Sequence, residues 1–162
     1  MKKKLVLLTV ILTSLFFNSC KKDDSSSPDT KQFIKFTYEN STYNWQGDGV
    51  NGVVTFFGLN NIYSINAGFD EGSLIIAKKG AFEVGKKYDI MSTYEADIQI
   101  SLVLGENSIM SYFGDTNIKV GEVTITSDSN GIITGTFYCE MGQGTTSITH
   151  ITNGTFSASK VL

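Results

Sequence analysis

The sequence predicts an all-β fold, a single antiparallel β-sandwich or flattened barrel of roughly eight to ten strands, with little or no helix outside a signal peptide. Three observations carry this. From residue 32 onward, apolar and polar side chains alternate at period 2 far more than at period 3.6. Residues that tolerate left-handed backbone (Gly, Asn, Asp) interrupt the alternation about every ten residues, at the spacing of short antiparallel connections. The 162 residues include 16 glycines, 11 phenylalanines and 7 tyrosines but one proline. Such a chain has enough apolar and aromatic mass for one core, and too little length for a multidomain enzyme.

The first element is an address. Lys2, Lys3 and Lys4 precede an apolar stretch from Leu5 to Phe17, followed by Asn18-Ser19-Cys20. A basic start, a short apolar stretch and a small residue at the end form a signal peptide, here residues 1–19. Thirteen apolar-stretch residues are fewer than the ~20 that span a bilayer as a helix. Ser19-Cys20 resembles the lipobox of bacterial lipoproteins, in which the cysteine sulfur takes a diacylglycerol and the chain is cut just before it. Phe17 and Asn18 replace the commoner Leu and Ala or Ser, a relaxed box familiar in Bacteroidota lipoproteins. The resemblance implies lipidation at Cys20 and an outer-membrane lipoprotein facing the periplasm or the cell surface.

Residues 20–31 form the tether. Lys21 to Lys31 contains no apolar side chain that could join a core. Flexible, its 11 residues would reach on the order of 20 Å. Lys22-Asp23-Asp24 resembles the Lys-acidic-acidic export tag of surface-exposed Bacteroidota lipoproteins and equally reads as a solvated charge run. Removing residues 1–19 takes away three of 13 lysines and none of 16 acidic residues, leaving 143 residues at a formal charge of −6. That balance discourages binding to polyanions.

Residues 32–162 form the single β domain. Ile34, Phe36 and Tyr38 alternate with Lys35, Thr37 and Glu39, and a hairpin near Asn40-Ser41 leads to Trp45. Gly47-Asp48-Gly49-Val50-Asn51-Gly52 reads as a mobile loop. Val53 to Leu59 is apolar on both parities, as in a strand covered on both sides. Asn60-Asn61 turns the chain into Tyr63, Ile65, Ala67 and Phe69, which share one face. Asp70-Glu71-Gly72 and Lys79-Gly80 supply further turns. Ser92-Thr93-Tyr94-Glu95 has the form of a capping box, good for one turn of helix at most, because Ala96, Ile98, Ile100 and Leu102 alternate at once. Val123 and Ile125, and then Phe137, Cys139 and Met141, share faces on either side of the turn Asp128-Ser129-Asn130-Gly131. Gly58, Gly68, Gly121 and Gly135 mark bulges or close backbone approach. Asn153-Gly154 fits a hairpin turn, but Ile151 and Phe156 have opposite parity, which favours a bulge that returns both to one face.

Three of these runs carry a family resemblance: Gly121-Glu122-Val123-Thr124-Ile125-Thr126, Gly135-Thr136-Phe137, and Ile151-Thr152-Asn153-Gly154-Thr155-Phe156. Together with the opening from Ile34 to Trp45, they resemble an uncharacterised domain of Bacteroidota lipoproteins, over about two thirds of the mature domain. The matching positions are turn and core positions. The resemblance implies an all-β lipoprotein domain and transfers no catalytic residue.

The chemistry-bearing residues are few. All basic residues are lysine, and the pI is near 5.1, which argues against nucleic acid as a partner. His150 is the one histidine; Cys139, the one thiol besides Cys20, reads as a buried strand cysteine. No His or Cys spacing suits a metal, and the Asp128 turn lacks the 12-residue calcium loop. The Gly47–Gly52 run has no following Lys-Ser/Thr or helix and does not cradle phosphate. No catalytic residue, metal or cofactor is assigned. Ligand-binding candidates are Tyr43, Trp45 and Asp48, because loops and aromatic faces on rigid β scaffolds carry binding. Of the other aromatics, Tyr38, Tyr88, Tyr94, Tyr112 and Tyr138, the last is expected to face outward, opposite in parity to Phe137. The expected function is a noncatalytic binding module anchored to the membrane through the lipid on Cys20, its ligand a glycan, a small molecule or an envelope protein. The alternatives are a hydrolase using dispersed carboxylates and a structural or adhesive surface component.

Overall fold

The computed structural model describes residues 32–47, 52–59, 61–112, 117–142 and 148–160. The signal peptide, Cys20 and the tether lie outside them, as does Asp48. The described chain is all strand and connection: β1 (Gln32–Tyr38), β2 (Ser41–Gly47), β3 (Gly52–Leu59), β4 (Ile62–Phe69), β5 (Gly72–Lys79), β6 (Lys87–Met91), β7 (Ile98–Leu104), β8 (Asn107–Met110), β9 (Lys119–Ser129), β10 (Ile132–Gly142) and β11 (Ile148–Lys160). Eleven strands exceed the expected eight to ten. The short β6 and β8 offer two and one buried apolar residues, Tyr88 and Ile90, then Ile109, too few to print an alternation.

The strands form one sheet in the order β2-β1-β11-β3-β4-β5-β7-β8-β10-β9-β6, with β11 also paired to β10. The extra pairing folds the sheet into two leaves. The first is β6-β9-β10-β11-β1-β2 and the second β3-β4-β5-β7-β8. Two parallel register pairs between β11 and β3, and one pair between β10 and β8, join them, and the sheet does not close into a barrel. The inner faces meet in a single cluster including Ile34, Phe36 and Trp45 from one leaf and Ile65, Leu74 and Ile100 from the other. Trp45 on β2 packs 5.0 Å from Phe69 on β4, ring centre to ring centre. Fully burying one such side chain stabilises the fold by ~1.5–3 kcal/mol.

The turns use the left-handed residues read from the sequence. Asn130 and Gly131, both with positive φ (52° and 74°), make the two-residue loop between Ser129 and Ile132. The first hairpin turns at Glu39-Asn40, one residue before the expected place, with Glu39 at φ 53°. At the capping-box residues no helix forms. The Ser92 backbone N–H donates to the Ile118 carbonyl at 2.9 Å and its hydroxyl accepts from the Ile118 N–H at 3.3 Å, which ties that side chain to the start of β9. Gly68 also departs from expectation: a Cβ there would meet nothing within 4 Å.

Close approach is real at three glycines of the first leaf, Gly121, Gly135 and Gly154. β10 and β11 place two Gly-Thr-Phe tripeptides antiparallel, with Gly135 opposite Phe156, Thr136 opposite Thr155 and Phe137 opposite Gly154. Each phenylalanine ring lies over the facing glycine: a Cβ on Gly135 would stand 2.4 Å from Phe156 Cζ, and one on Gly154 would stand 2.6 Å from Phe137 Cδ1.

β11 is one continuous strand with a bulge. Lys35 pairs with Thr155 but Thr37 with Thr152; on the other side Phe137 pairs with Gly154 but Cys139 with Ile151. The extra residue, with Asn153 at φ 53°, restores both Ile151 and Phe156 to the core, each about 1% exposed.

Candidate functional site

On the outer face of the first leaf, the bulge leaves Tyr138 without a register partner on β11. Thr152 and Asn153 stand opposite it instead of a single residue, and the surface in front of the ring opens into a hollow of about 320 Å³. Strand parity aims the side chains here: Phe137 and Cys139 face the core while Tyr138, between them, is 47% exposed. Lys119 from β9, Glu140 from β10, and His150 and Thr152 from β11 line the same hollow. Glu140 and His150 are direct cross-strand partners. Among the residues whose side chains are described, Tyr138 and Tyr94 are the exposed aromatics, and Tyr94 sits on a turn rather than a strand.

The charges around the hollow compensate one another. Lys119 Nζ lies 2.6 Å from Asp89 and 3.2 Å from Glu122, while Lys87 reaches Glu122 at 3.2 Å. Hydrogen bonds to Asp89 and then Glu122 hold Lys119 above the usual lysine range, and the nearby Tyr138 hydroxyl adds to this. Glu122 is held below the usual carboxylate range, first by Lys87 and then by Lys119. The rim therefore offers hydrogen-bond donors and acceptors, with the Lys119 ammonium already paired and the Glu140 carboxylate beside it.

Of the sequence-derived binding candidates, Tyr43 and Trp45 fall elsewhere. Trp45 is 4% exposed and belongs to the core, edge-on to Phe36 and Tyr43. Tyr43 is half-buried and stacks on Phe36 with centroids 5.1 Å apart. Cys20 and Asp48 lie outside the described residues. Tyr138 faces outward, as its parity requires. Cys139 is 1% exposed and its Sγ donates to the Glu140 carbonyl at 2.9 Å; burial pushes its thiol well above the usual range. Exposed His150 is on the opposite face of the sheet from it, so the two form no nucleophile–base pair. Asp128 is engaged by Lys160 Nζ, at 2.6 and 2.7 Å to its two oxygens. Among the described residues no three His, Cys, Asp or Glu converge on a point where a metal could sit.

The sequence reading missed Lys119, Glu140 and Thr152 as site residues. They come from three strands and share no local motif; their outward parity was the one available signal. Two other hollows are less suited to a ligand. At the seam between the leaves, Lys78 and Lys86 already cover the Tyr88 ring at 4.9 and 5.4 Å, and Lys86 is paired to Glu83 at 2.7 Å. Beside Ile62 and Tyr94, four of the nine lining residues come from the irregular 94–97 segment. No family model matches the chain, and no curated protein or solved structure resembles it at a significant level.

Proposed function

We propose that this protein is a lipid-anchored cell-envelope lipoprotein of the Bacteroidota type whose β domain is a noncatalytic binding module. The single observation that carries the binding role is Tyr138: a half-exposed aromatic ring held on a paired strand, facing a hollow with mixed polar groups and no nucleophile–base pair. Rigid strands fix these side chains in advance, so a ligand would lose little of its affinity to ordering the protein. The anchor follows from the N-terminal sequence, with Cys20 as the acylated residue and residues 20–31 as the tether that holds the domain off the outer membrane, toward the periplasm or the cell surface. Two or more acyl chains on one cysteine would make the attachment lasting.

The test is a thermal-shift screen of the full lipoprotein in detergent against charged and uncharged small molecules, peptides and glycans, repeated on Tyr138→Ala. The module reading expects at least one ligand whose stabilisation disappears in the variant. Ligands that stabilise both forms equally, or none in the whole panel, would overturn it.

A further inference from the structure

Resting on that reading, we infer that the ligand class is a neutral oligosaccharide, stacked by one sugar ring on Tyr138 and laid along a row of threonines beside it. The row is written in the register. Lys87, Thr124, Thr136, Thr155, Lys35 and Asn44 are consecutive cross-strand partners on β6, β9, β10, β11, β1 and β2, and all six are exposed or half-exposed. At the usual strand spacing this row spans roughly 24 Å. Thr136 lies two residues from Tyr138 on the same face, so the row runs past one side of the ring and the hollow lies on the other. Thr126 and Thr134, whose hydroxyl oxygens are 2.8 Å apart, continue the hydroxyl surface on the far side.

The ligand class follows from the chemistry of the surface. A tyrosine ring offers an apolar face that fits the C–H face of a sugar, and its hydroxyl can bond at the rim. Threonine hydroxyls both donate and accept, which matches a ligand whose every position carries a hydroxyl. A carboxylate or phosphate ligand is disfavoured, since Lys119 and Lys87 are already paired to Asp89 and Glu122. A wholly apolar ligand is disfavoured because the row it would cross carries hydroxyl, amide and ammonium groups. The length of the row favours an oligomer over a single sugar.

The experiment is titration calorimetry on the full lipoprotein, solubilised in a detergent without a sugar headgroup. The probes are hexaoses of β-1,4-glucose, β-1,3-glucose, β-1,4-mannose and α-1,4-glucose, their monosaccharides, a sulfated hexaose and an acidic hexapeptide. The inference expects one neutral hexaose to bind at least tenfold tighter than its monosaccharide. Tyr138→Ala should weaken it at least tenfold, Tyr138→Phe less than threefold, and Thr136→Lys severalfold through lost hydroxyl contact and steric block. All three variants should keep the parent's melting temperature within a few degrees, since both side chains face solvent. If no neutral hexaose binds, or one binds undiminished by Tyr138→Ala, the inference is overturned. If the sulfated sugar or the peptide binds instead, and Tyr138→Ala abolishes it, the glycan inference falls while the binding-module reading stands.

Discussion

At the residue scale, neighbours one position apart do opposite work. Tyr138 faces water while Phe137 and Cys139 close the core, a consequence of the two-residue period of a strand. Cys139 should therefore be inert in the folded protein: a maleimide reagent at neutral pH is expected to leave it unlabelled for hours and to label it at once in denaturant. With Cys20 acylated as proposed, the denatured count should be one thiol; rapid labelling of the native form would contradict the burial. The facing Gly-Thr-Phe tripeptides give a sharper case. A methyl at Gly135 would meet the Thr124 carbonyl oxygen at 2.4 Å as well as the Phe156 ring, and one at Gly154 would meet the Phe137 carbonyl at 2.5 Å. Gly135→Ala and Gly154→Ala should each destabilise by about 1–3 kcal/mol or more in urea unfolding. Adding Phe156→Leu to Gly135→Ala should not restore stability, because the backbone oxygen cannot move aside. Full rescue would mean that the ring alone sets the need for glycine.

At the element scale, β11 decides how much the sequence could reveal. Its core contribution was legible only if the parity break between Ile151 and Phe156 was read as a bulge, and the structure has that bulge. Deleting Asn153 would turn Ile151 or the Gly154–Ala158 segment to the wrong face. The expected loss is at least the ~2–5 kcal/mol of removing a buried isoleucine, checked by denaturant midpoint; a midpoint equal to the parent's would show that the register slips at no cost. Asn153→Gly, by contrast, should be neutral or slightly stabilising, since it removes a side chain from left-handed backbone. The long strands β9, β10 and β11 were legible because each carries several alternating apolar residues. The short β6 and β8 were not, because their place is set by pairing with β9 and β7, which no local pattern encodes. The site was less legible still. Lys119, Glu140, His150 and Thr152 converge only through register between strands, while Trp45, conspicuous in sequence, is drawn into the core by Phe36, Tyr43 and Phe69.

At the scale of the whole molecule, the proposed anchor and the core occupy separate stretches of chain. Among the described residues, the two leaves pack into one core drawn from positions 34 to 158. Cys20→Ser is accordingly expected to leave the fold and its melting temperature intact while moving the protein from the membrane to the soluble fraction. On the proposed reading, this division would let the hollow be displayed at a short distance from lipid, by a tether whose composition has no apolar side chain to join a core. The most direct measurement is intact-protein mass spectrometry of the chain extracted from the membranes of a diderm bacterial host. The account predicts a mature chain beginning at Cys20 with added diacylglycerol and acyl mass, and an unmodified Cys20 or a retained residue 1–19 segment would contradict it.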